Sequence, residues 1–87
     1  MTPDLTMLRR RAVSVRGVAR LADHHDEPHD DHRAALGAVR VFDAHVEVDL
    51  VLAAGHSVPA TTAALRAALG PILDGRAVHT TVVDVEP

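Results

Sequence analysis

Two rhythms of apolar and polar residues run along this chain. Near the start, Leu5, Leu8, Ala12 and Val15 follow one another at spacings of three, four and three, which makes one stripe along an amphipathic helix. Thr2-Pro3-Asp4 ahead of them reads as a helix start. It offers a capping hydroxyl, a proline whose missing N–H costs nothing in the first turn, and an acid at the positive end of the dipole. Gly17 closes that helix as a left-handed residue can. From Ala38 the period becomes two: Val39 and Val41 alternate with Ala38 and Arg40, and Asp43-Ala44 offers a turn. Val46, Val48, Leu50 and Leu52 then point to one side, and His45, Glu47, Asp49 and Val51 to the other. The pattern predicts a hairpin with one covered and one wet face.

Gly55 next releases the backbone, and Ser57 with Pro59 starts a second helix whose buried stripe is Leu65, Leu69, Ile72 and Leu73. Gly70-Pro71 kinks or ends it, because Pro71 has no N–H to donate to the carbonyl of Ala67. Asp74-Gly75 is a turn signal, and residues 78–85 form the last strand. Residues 18–21, VARL, fit a short edge strand, and 34–37 close the loop that follows. The order is helix, two or three strands, helix, strand. It predicts a single α+β domain over 1–87, with two helices packed on one face of a small three- to four-stranded mixed sheet, in α-β-β-β-α-β order. A right-handed crossover through the second helix sets the last strand parallel to its neighbour.

Composition narrows this picture. A chain of 87 residues buries only about 60 to 65% of the surface that its unfolded form exposes. There is no cysteine to staple the fold or ligate zinc, and Phe42 is the one aromatic residue, so Val, Leu and Ala must make the core. Association with another chain would relieve that shortage. The net charge of -3 is uneven: Arg9, Arg10, Arg11, Arg16 and Arg20 lie early, and five acids crowd into 23–31. The early arginines read as a solvated helix face, or as a contact for acidic partners or lipid. Nucleic acid is not expected as a partner, since no aromatic platform accompanies the arginines and the acidic loop repels phosphate. No apolar run reaches the roughly 20 residues of a membrane span, and arginines interrupt the N-terminal apolar positions that a signal peptide needs. The expected location is cytoplasmic, or peripheral at a membrane through a partner.

Candidate chemistry concentrates in histidines. The segment 23–32, DHHDEPHDDH, is ionisable at every position except Pro28 and reads as a surface loop, 23–33 in all. His24, His25, His29 and His32, with the intervening carboxylates, suit zinc or another divalent transition metal. Weak, adventitious chelation accounts for such a loop better than a purposeful site does, and solvation alone is the other reading. Binding there should weaken below about pH 6, as protons compete for the imidazoles. His45, Glu47 and Asp49 project together from the middle strand, and Asp84 and Glu86 from the last. If those strands are neighbours, their outer face can gather a metal, although an exposed polar face explains them too. His56 lies in the turn before the second helix and His79 on the last strand. No catalytic residues are expected: Gly55-His56-Ser57 lacks the flanking pattern of a nucleophile elbow, and the glycines are too scattered to cradle a phosphate. No cofactor is expected beyond such a metal.

The segments VRGVARL at 15–21, VEVDLVL at 46–52, Gly55, Pro59, LRAAL at 65–69, Asp74-Gly75-Arg76 and VVDV at 82–85 resemble actinobacterial members of the alkaline-shock, or envelope stress response, family. The likeness runs ungapped from about Gly37 to the end and loosely covers the first helix. It implies a small, non-enzymatic, intracellular scaffold or interaction module that forms homo-oligomers, and it admits a membrane-anchored partner protein. The chain departs from that pattern at Ala54, where the family usually has an aromatic, and in the histidine-rich loop. A second set of residues is similar to the cytosolic C-terminal domain of cation diffusion facilitator transporters. His29, His45 and His56 fall on that domain's ligand pattern, and Asp84 and Glu86 stand where it has a histidine and an aspartate. That likeness implies a free-standing zinc-binding domain that dimerises around metal, in which His45 and His56 act together.

Overall fold

The computed structural model describes residues 3–23 and 34–87. The first helix, α1, spans Leu5–Val13, and its cap is Asp4, whose carboxylate accepts from the backbone N–H groups of Thr6 and Met7. The capping role expected of Thr2 thus falls two residues later, on the acid. Leu8 and Ala12 are the buried positions within α1, and the helix ends before Val15, which is buried from the following turn. Gly17 has φ +101 and sits against Thr61, so its left-handed backbone serves a close approach between chain segments rather than the helix cap.

Five strands form one sheet. They are β1 (Val18–Leu21), β2 (Ala34–Leu36), β3 (Val39–Val41), β4 (His45–Ala53) and β5 (Ala77–Glu86). The expected three or four strands become five because 34–36, read as loop closure, forms β2 and folds back on β3 around the Gly37-Ala38 turn. β4 is the hub. One of its edges is shared end to end by β3, opposite Val46–Val48, and β1, opposite Leu50–Leu52, both antiparallel. The seam falls at Asp49, whose N–H donates to Ala38 O and whose carbonyl accepts from Ala22 N–H. The other edge of β4 pairs with β5 in parallel along its whole length. This is the crossover arrangement that the strand–helix–strand order implied.

The second helix, α2 (Val58–Leu69), starts at Ser57, whose hydroxyl accepts from Ala60 N–H, and gives way to a short 3-10 turn over Gly70–Ile72. Pro71 is tolerated there because the helix tightens and ends. Leu8, Ala12, Leu65, Leu69 and Leu73 from the helical side meet Val39, Val41, Val46, Val48, Leu50 and Val78 from the sheet in one core. Each fully buried Leu or Val contributes about 1.5 to 3 kcal/mol. Two helices on one face of a mostly antiparallel sheet make this an α+β fold. Among the described residues no helix is long and apolar enough to cross a membrane.

Arg9 departs from the solvated role read for it. Its guanidinium grips both oxygens of Asp23 at 2.7 and 2.8 Å and donates to Leu36 O at 2.8 Å, while Asp23 also accepts from Ala38 N–H. The helix therefore clamps the two chain segments that border 24–33. The hydrogen bond to Asp23 raises the pKa of Arg9, outweighing the opposing effect of burial.

Candidate functional site: the outer sheet face and the β5 edge

The sheet face away from the helices carries the polar half of the period-two pattern. Its middle is a charged ladder. Arg40 of β3 donates to Glu47 Oε1 at 3.2 Å and to Asp49 Oδ2 at 3.0 Å. Arg40 and Asp49 are both well shielded, with side chains 12% and 9% exposed. Burial works against the Arg40 charge, but the hydrogen bonds and charges of Asp49 and Glu47 overcome it, and its pKa is raised. Such a pair needs this many partners, because an isolated charge in the same place would be strongly unfavourable.

At one end of the face, the rings of Phe42, His45 and His79 stack. Phe42 and His45 are 4.4 Å apart and 9° from parallel, and His45 and His79 are 4.3 Å apart at 21°. The parallel register sets His79 directly beside Glu47, with His45 two residues back along β4. His45 Nε2 and Glu47 Oε2 lie 3.2 Å apart. One ligand atom from each of His45, Glu47 and His79 falls within 4.8 Å of the others. His79 was legible only as a polar residue of the last strand; what promotes it is the register of a non-local parallel pair.

The other expected ligands do not join this group. Within one chain His45 and His56 lie far apart: the strand from His45 to Ala53 spans about 26 Å, and His56 lies beyond its far end. Asp84 and Glu86 stand opposite Val51 and Ala53, about 20 Å or more along the sheet from His45. Glu86 is taken up by Arg20, at 3.2 Å across β4. Neighbouring strands were expected to gather His45 with Asp84 and Glu86. Parallel pairing instead puts the start of β5 beside the start of β4 and separates them. His24, His25, His29 and His32 lie outside the described residues.

Val51, expected as an apolar residue on the wet face, is only 2% exposed. Its cross-strand neighbours are Arg20 and Asp84, and the Arg20–Glu86 bridge passes over β4 beside it. The two most exposed large apolar residues lie on β5, where Val83 and Val85 are 50% and 53% exposed; Met7, Val13, Leu36 and Val58 are exposed elsewhere. Among the described residues β5 pairs only with β4, so its other edge is open. Ala77 N–H points to β4, bonding Ala44 O, and Glu86 O accepts from Ala54 on the same side. Backbone alternation turns the amides of Val78, Thr80 and Val82 outward, while that of Val85, past a register shift, donates to Asp84 Oδ1 at 2.8 Å. Compared with models of known families, with curated proteins and with solved structures, the chain matches none.

Proposed function

We propose that this protein is a non-catalytic, self-associating interaction module, a scaffold of the alkaline-shock or envelope stress response type, and that its copies join through the free edge of β5. The observation that carries this is the ten-residue β5 with one open edge and exposed Val83 and Val85. Unpaired edge N–H and C=O groups are a template for another strand. Antiparallel pairing of two copies about the middle of β5 brings the end bearing Arg76 and His79 against the end bearing Asp84 and Glu86. The same patch then serves both chains, as a two-fold contact requires. Burial of Val83 and Val85 supplements a core that has little aromatic area.

The test is sedimentation velocity over a range of concentrations, on the full chain and on V83K/V85K. Both valines are exposed, so the substitutions should leave the folded monomer within about 0.5 kcal/mol of the parent. The parent should sediment as a dimer or larger at high concentration and the variant as a monomer. A parent that stays monomeric throughout refutes the proposal.

A further inference from the structure

We propose that His45, Glu47 and His79 form a divalent transition-metal site, of a kind that takes zinc, on the outer face of the sheet. Ligands on a tetrahedral ion at about 2.0 to 2.1 Å lie roughly 3.3 Å from one another. His45 Nε2 and Glu47 Oε2, at 3.2 Å, already have that separation. An ion there takes the place of the polar contact that joins them. The His79 ligand atom is within 4.8 Å of both, and its ring, now stacked on His45, turns out of that stack to aim its nitrogen at the ion. Its exposed side chain, on the neighbouring strand, leaves room for that rotation.

The surroundings favour the same ligands. Glu47 uses Oε1 for Arg40, which fixes the carboxylate plane and leaves Oε2 for the ion. Phe42 backs the His45 ring, and the Phe42 carbonyl is held in turn by Arg76 Nε at 2.7 Å. Outer partners of this kind orient first ligands and raise affinity. The charges of Glu47, Asp49 and Arg40 sum to minus one, so a dication meets a net attraction despite the nearby guanidinium. Two imidazoles and one carboxylate suit zinc, cobalt or nickel better than magnesium or calcium. Three protein ligands leave a fourth position open to water or to a donor from a partner. The three ligands lie within one chain, so the site does not require β5 pairing, which would bring Asp84 of a second copy near His79.

The test separates this site from the histidines of 24–33. Calorimetric titration with zinc chloride uses the full chain carrying H24S/H25S/H29S/H32S, then the same chain with H79A or E47Q added. The first protein should bind one zinc with a dissociation constant of about 10 µM or tighter, and either addition should weaken it by about tenfold or more. Because His79 is exposed, H79A leaves the fold intact, which an unchanged far-ultraviolet dichroism spectrum checks. Zinc should also shift the ring resonances of His45 and His79 and leave those of His56 in place. Loss of all binding tighter than millimolar in the four-serine chain, or equal affinity with and without His79, overturns the proposal.

Discussion

Replacing Arg40 by methionine should destabilise the fold by about 3 kcal/mol. The substitution keeps an unbranched apolar stem over the sheet and removes only the charge and its hydrogen bonds. At 3.0 Å from Asp49 Oδ2, and with an effective dielectric near 20, the gross attraction is about 5 kcal/mol. Part of that is returned, because Arg40 no longer has to be desolvated. The contact with Glu47, whose side chain is 35% exposed, adds at most about 1 kcal/mol. What remains is the cost of a shielded Asp49 carboxylate that has lost its guanidinium, which for buried pairs is about 3 to 5 kcal/mol. The lower figure applies here because Asp49 keeps other interactions. A chain of this size has a total stability of roughly 4 to 13 kcal/mol, so the loss is large. Urea unfolding followed by circular dichroism, on the parent, R40M, D49L and R40M/D49L, measures it as a double-mutant cycle. Removing both charges should recover most of the loss, giving a coupling of about 2 kcal/mol or more. R40M within about 0.5 kcal/mol of the parent, or additive single effects, would show that the ladder is surface decoration.

Three further outcomes follow from single contacts. Among the described residues the buried hydroxyl of Thr80 has no hydrogen-bond partner, so Thr80→Val, which keeps the shape and drops the polar atom, should stabilise by about 1 kcal/mol in the same urea assay. Gly17→Ala should cost more than about 1 kcal/mol, since φ is +101 and the added Cβ meets Thr61 Oγ1; a lowered melting temperature checks this. Arg9→Met should cost about 1 to 3 kcal/mol by releasing Asp23 and the Leu36 carbonyl, and should speed proteolysis within 24–33.

The regular parts of the fold were legible because they rest on local periods. The alternation of 45–52 identified β4 and its covered side, and Ser57, Pro59 and Gly70-Pro71 bounded α2 closely. β2 was not legible, because Ala-Ala-Leu is too short and uniform to show alternation and acquires strand geometry only by pairing with β3. Val51 was assigned to the correct face but to the wrong environment, since its neighbours on either side, Arg20 and Asp84, come from strands distant in sequence. The candidate metal group shows the same division. His45 and Glu47 are two residues apart and could be placed together from sequence, whereas His79 joins them only through the register of β5 on β4. Shifting that strand by a few residues would have favoured Asp84 instead. Arg9 was read as solvated for a similar reason, because Asp23 and Leu36 lie 14 and 27 residues away.

The central claim, that a second copy covers the open edge of β5, is tested most directly by amide hydrogen exchange read residue by residue at low and high protein concentration. The outward amides of Val78, Thr80 and Val82 should slow as concentration rises, while that of Ala77, already bonded to β4, should not change. Exchange at those outward amides that is fast and independent of concentration would contradict the account.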